Sequence, residues 1–176
     1  MGCHAITTIK DLDGQHLVSI FRHWDGNPSN HGMQIAEFLA NRPIKSGQPP
    51  RHPETGYPKM SNGISDLAAQ LIHHLKSDPH SEVGNIHIMN RAEAADHPYI
   101  DYYYTITGKV GDDEAHIAAS GKDGFQFSGS MTGFIEYIRE VEEEDMIDEA
   151  CAEGVKEAKE AWKELAKEKR LAKENR

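Results

Sequence analysis

The apolar positions of this chain change their period several times, and each change marks an expected element. Residues 4–10 (HAITTIK) and 15–22 (QHLVSIFR) are rich in β-branched and apolar side chains. They flank Asp11-Leu12-Asp13-Gly14, where the Asp-Gly pair can supply the positive φ of a tight turn, so they predict a β-hairpin. In the second strand Leu17, Ser19 and Phe21 share one face and His16, Val18, Ile20 and Arg22 the other, and a strand with two partly apolar faces is expected to be covered on both. The loop Trp24–Asn30 is dense in turn formers, and Ser29 or Asn30 can cap a helix from His31 to Asn41. Ile35, Phe38 and Leu39 give that helix a buried stripe, and Pro43 ends it. Residues 43–60, with five prolines and two glycines, predict a long surface loop. Asn62 and Gly63 then open a second helix over 64–76, in which Ile64, Leu67, Ala68, Leu71, Ile72 and Leu75 repeat at helical spacing.

Period-two segments follow at 85–89, 99–107, 114–119 and 124–128, separated by Gly and Asp turns, and predict an antiparallel meander. Tyr102, Tyr103 and Tyr104 alternate across the second of these, two on one face and one on the other. The expected fold class is α+β, an antiparallel sheet of five or six strands packed by two helices. Ser130 can cap a third helix carrying Phe134, Ile135 and Ile138. Beyond it the chain predicts a long charged C-terminal helix: Glu136 to Glu149 places eight carboxylates against Arg139, and Cys151 onward alternates Lys and Glu among alanines. There Val155, Ala158, Trp162 and Leu165 have a short coiled-coil rhythm that suggests a homo-oligomer contact. The domain reading is a core over 1–135 and a helical extension over 136–176.

Charge and composition narrow the classes of partner. Of the net −10, residues 1–135 hold −5 (10 Lys and Arg against 15 Asp and Glu) and residues 136–176 hold −5 (9 against 14). Such a chain lacks the clustered Lys and Arg that generic nucleic-acid binding requires. No stretch approaches the ~20 apolar residues of a membrane span, no secretory leader is visible, and Ile6 stands where a myristoylation signal wants Ser or Thr. Cys3 and Cys151 read as free thiols, and the expected location is cytoplasmic.

Candidate chemistry concentrates in Phe21-Arg-His-Trp-Asp-Gly-Asn-Pro-Ser-Asn-His-Gly32. Arg22, His23 and the start of the His31 helix could form an anion site, with Asp25 at its rim. The plainer reading is an Asx-type turn built by Asp25 and Asn27, Arg22 paired with Asp25, and His31 satisfying backbone groups. The 11 histidines all precede residue 117, but they form no His-Glu-x-x-His string and are expected to be solvated or held in the core without a metal. Asp11-Leu-Asp-Gly lacks the later ligands of a calcium loop. Cys3, beside His4, reads as a small hydrophobe at a strand start, not as a nucleophile.

The strings FRHWDGNPSNHG and IAEFL, then NGISDLAAQLIHHL, a tyrosine-rich strand and FQFSGSMTGFIEYI resemble a family of small, uncharacterised phage and prokaryotic proteins. The resemblance covers roughly residues 1–140 and implies no activity, cofactor or catalytic residue. It implies only a context in which binding a host protein or sequestering a small molecule is common.

Three functions follow as expectations. The first is a non-enzymatic binding protein, without a cofactor, that holds a small anionic ligand such as a nucleotide with Arg22, His23, Asp25 and His31. The second is an inhibitor or adaptor whose acidic helix engages a basic host protein. The third is a metal-dependent phosphoester hydrolase using His23, Asp25 and His31.

Overall fold

The computed structural model describes residues 2–47, 59–77, 85–122 and 124–146, together with Glu153, Lys156 and Glu160. The chain divides into two units, Met1–Ile138 and Arg139–Arg176. The first contains strands β1 (Ala5–Lys10), β2 (His16–Arg22), β3 (Ile44–Lys45), β4 (Ser61–Asn62), β5 (Ile86–Met89), β6 (Tyr102–Thr107), β7 (His116–Gly121) and β8 (Gln126–Ser130). Its helices are α1 (Met33–Leu39), α2 (Gly63–Ser77) and α3 (Arg91–Asp96), and residues 131–138 form α4; in the second unit residues 139–146 are helical.

The class is α+β, as expected, but the sheet is mixed. Its order is β5-β2-β1-β6-β7-β8, and β1 pairs with β6 in parallel while the other neighbours are antiparallel. The expected antiparallel meander is therefore corrected at its first member. β5 leaves the sequence-adjacent strands and pairs with β2 at one edge, and α3 then returns the chain to the middle of the sheet. That connection makes β6 parallel to β1, because two strands entered from the same end by a crossover must run the same way.

The hairpin turn is as predicted: Gly14 has φ +76°, Gly14 N–H donates to Asp11 O at 3.1 Å, and Gln15 N–H to the Asp11 carboxylate at 2.8 Å. One core unites α1, α2 and α4 with the sheet, with Ile35 and Leu39 of α1, Leu67, Leu71 and Leu75 of α2 and Phe134 of α4 buried with Ile9, Ile20, Tyr104, Ile106 and Ile117. Ser130 caps α4 through its Oγ, which accepts from Gly133 N–H at 3.0 Å. Glu114 adds a second clamp, accepting from Asn41 N–H at 3.1 Å and from the Thr132 hydroxyl at 2.9 Å. Burial alone would raise the Glu114 pKa, but these donors prevail and hold it below the ordinary range.

Two further differences concern loops. β3, at the start of the expected loop over 43–60, forms a short parallel ladder with β4 just after its end; residues 48–58 lie outside the described residues. The expected cap of the first helix by Ser29 or Asn30 is absent. Instead a π-helical turn, Pro28–Gly32, leads directly into α1 with no side-chain cap. Of the expected long charged C-terminal helix, residues 136–146 are helical and Glu153, Lys156 and Glu160 are the only later residues described, while the oligomer seam of Val155, Ala158, Trp162 and Leu165 lies outside the described residues.

Candidate functional site

The Phe21–Gly32 segment is built chiefly from contacts to its own surroundings. Asp25 takes a left-handed φ of +57°, and the chain then presses against β1, with Gly26 N–H donating to Cys3 O at 2.8 Å. A Cβ on Gly26 would lie 2.7 Å from the Ala5 Cβ and 2.8 Å from Cys3 O, so the backbone approach itself demands glycine here. The Tyr104 hydroxyl donates to Gly26 O at 2.9 Å. Burial, then the nearby Tyr102 and Cys3, push that phenol above its ordinary pKa and keep it a neutral donor. On the other side Trp24 N–H donates to Asn85 Oδ1, and His23 N–H to Asn85 O, each at 2.9 Å. Asn85, which the sequence did not single out, thus ties the loop to the edge strand.

The four predicted ligand residues separate. His31 is wholly buried; its Nε2 lies 2.8 Å from Thr7 Oγ1 and its ring packs edge-on against Tyr104. Its Nδ1 has no partner among the described residues. Of the two neutral tautomers, the one protonated at Nε2 donates to Thr7 and leaves a bare lone pair at Nδ1, which costs less than an orphaned N–H. Desolvation first, then the positive charge of Arg22, lowers the His31 pKa to about 3, so the imidazole is neutral. The backbone groups expected to receive an anion are also engaged: His31 N–H donates to Asp25 O at 3.2 Å and Gly32 N–H to Asn27 O at 3.3 Å.

His23 lies in a different neighbourhood. It sits 4.9 Å from His4 and 4.3 Å from Trp24 between ring centres, in a cluster around Phe21 that also includes His87 and His97. His23, Asp25 and His31 are therefore not gathered around one point, and among the described residues no group of three or more His, Cys, Asp or Glu is placed to hold a metal. The hydrolase expectation loses its three-residue site on this geometry.

Arg22 and Asp25 do come together. With Ser29, Asn30, Met33, Gln34 and Glu37 they line an open cleft of about 400 Å3. Arg22 is held there by its Nε, which donates to Trp24 O at 2.8 Å, and by Nη1, which donates to Gln34 Oε1 at 2.6 Å. A second cavity of about 590 Å3 shares Gln34 and Glu37 with the first and continues past Phe38, Arg42, Lys59, His74 and Ser77. The two adjoin because residues 34, 37 and 38 fall on one face of α1. Arg42 stands just beyond the end of α1, with its guanidinium carbon 4.2 Å from the centre of the Phe38 ring, on which His74 also stacks at 4.1 Å. Sequence reading missed this second cavity because Phe38 was assigned to the core and Arg42 and His74 lie 32 residues apart in the chain.

No protein-family model, curated protein or solved structure matches the chain.

Proposed function

We propose that this chain is a non-enzymatic binding protein that holds a small anionic ligand, a nucleotide being one such molecule, in the groove along α1. The observation that carries the reading is the pair of adjoining cavities on one helix face, with the guanidinium of Arg22 in one and that of Arg42 in the other. Concave sites that mix apolar wall with a few oriented polar groups are the usual form of small-ligand pockets. Here Met33 and Phe38 supply apolar wall, and Ser29, Asn30 and Gln34 supply neutral hydrogen-bonding groups. His23 and His31 have no place in this groove, and their predicted ligand role is given up. The binding reading is favoured over hydrolysis because His31 is committed to Thr7 inside the core. The phage-type context and the acidic-helix adaptor rest on sequence alone.

The test is native mass spectrometry of the purified chain, followed by identification of whatever small molecules it releases and a thermal-shift titration with them. A stoichiometric anion that raises the melting temperature in a saturable manner is the expected result. A chain that carries no small molecule and is stabilised by no anionic metabolite would overturn the reading.

A further inference from the structure

We infer that the cavity lined by Arg42, Lys59 and His74 binds a dianionic phosphate group, and that this cavity, not the Arg22 cleft, takes the charged end of the ligand. The inference rests on the reading that the α1 groove holds an anion, and it specifies where the charge sits and of what kind it is.

The charge distribution separates the two cavities. The cleft at Arg22 sets one guanidinium beside the carboxylates of Asp25 and Glu37, an environment that repels a second anion. Among the described residues, the Arg42 cavity sets a guanidinium, an ammonium and an imidazole against the single carboxylate of Glu37. Two cationic side chains converging on one space suit a doubly charged group better than a single carboxylate.

Among the described residues, Arg42 is also held in a way that leaves its charge without a direct carboxylate contact. Its Nε donates to Phe38 O at 3.2 Å and its Nη1 to Gln70 Oε1 at 2.7 Å, both neutral acceptors. The nearest carboxylate in this network is one residue removed, because Gln70 Nε2 in turn donates to Asp66 Oδ2 at 2.7 Å. Gln70 is itself anchored by Met60 O at 3.2 Å, so the relay orients the guanidinium without neutralising it. Packing over Phe38 fixes the plane of the fork. Partial burial lowers the Arg42 pKa, against the opposing pull of Asp66, which means that the cation is desolvated more than it is paired. An anion arriving in the cavity would relieve that cost. A purely structural role, Arg42 stapling α1 to α2, accounts for its two hydrogen bonds but not for Lys59 lining the same cavity.

The experiment is calorimetric titration of the full chain with inorganic pyrophosphate and, separately, with acetate. Lys59→Gln is the main variant, because Lys59 is exposed and its loss leaves the Arg42 network intact. Arg42→Lys keeps the charge but removes the fork, and Lys109→Gln removes an equal charge from an exposed position outside the groove. Expected are saturable pyrophosphate binding, an affinity loss of about tenfold for Lys59→Gln and for Arg42→Lys, and a loss under about twofold for Lys109→Gln. Acetate should bind at least about tenfold more weakly than pyrophosphate. If Arg22→Gln weakens pyrophosphate binding while Lys59→Gln and Arg42→Lys do not, the charge belongs in the Arg22 cleft; the inference falls and the binding function stands. Equal losses for Lys59→Gln and Lys109→Gln would reduce the effect to general electrostatics and overturn the site. Acetate binding as tightly as pyrophosphate would overturn the phosphate class. Absence of any saturable anion binding would remove both the inference and the proposed function.

Discussion

Lowering the pH from 7 to 5 should destabilise the fold through His31 by an amount that can be worked from its surroundings. The folded imidazole, desolvated and beside Arg22, has its pKa lowered to about 3 from the ordinary value of 6.5. Between those two pH values the unfolded chain carries a proton on His31 that the folded chain does not. Stability from this group is therefore intact above about pH 6.5 and falls as the pH falls, by ~1.4 kcal/mol per unit once the unfolded histidine is mostly protonated. From pH 7 to pH 5 the loss comes to about 2 kcal/mol, a large share of the stability of a domain this size. The perturbation that isolates it is His31→Gln, which keeps an amide nitrogen able to reach Thr7 Oγ1 but has no group that titrates in this range. Urea unfolding at pH 7, 6 and 5 gives the free energy of both proteins. The variant should be less stable at pH 7, since it disturbs the packing on Tyr104, yet lose about 2 kcal/mol less than the wild type on acidification. The remaining histidines contribute to both proteins alike and cancel in the comparison. Parallel pH profiles would refute the reasoning, because they would show that His31 accepts its proton as readily folded as unfolded.

Leu71→Ala should cost about 2–5 kcal/mol, since the side chain is fully buried in the core; a change below ~0.5 kcal/mol in denaturant unfolding would show that the α2 stripe is not packed. Gly26→Ala should cost at least about 2 kcal/mol, because the new methyl meets the Ala5 and Cys3 backbone, which cannot swing aside as a flexible side chain could. Circular dichroism melting of Gly26→Ala beside Gly14→Ala separates close approach from φ alone, since a Cβ on Gly14 meets nothing within 4 Å.

The parts of the fold legible in the sequence are those where local signals agree. The α2 stripe was readable because burial, helical period and the Asn62-Gly63 start agree, and Leu67, Leu71 and Leu75 are indeed fully buried. The Tyr102–Tyr104 alternation likewise survives, with the outer two buried and Tyr103 48 % exposed. What was not legible depends on pairing across long separations. No local pattern says that β5 will leave β6 for β2, and parallel pairing of β1 with β6 is set by the crossover rather than by either strand. The helix α3 escaped for a different reason: it has no buried residue and hence no periodic stripe. A signal was nonetheless present, since Asn90 and Glu93 form a reciprocal capping box at its start.

The Phe21–Gly32 segment shows why an accumulation of ionisable residues is a weak guide to a site. It drew attention because Arg22, His23, Asp25 and His31 crowd into ten residues, but strand geometry sends alternate side chains to opposite faces of the sheet. Arg22 follows the core side and emerges at the cleft, His23 joins the ring cluster around Phe21, and the turn at Gly26 drives His31 inward to Thr7. Adjacency in sequence is thus converted into separation in space. The converse holds for Arg42, Lys59 and His74, which are scattered through the chain and separated by a proline-rich stretch. They meet because α1 and α2 pack side by side with Phe38 and His74 stacked between them. A cation there is oriented by Gln70 and partly stripped of water, whereas a cation on an open loop would be hydrated. Desolvation and fixed orientation are what make a positive charge able to select an anion, and neither can be counted from residue types in a row.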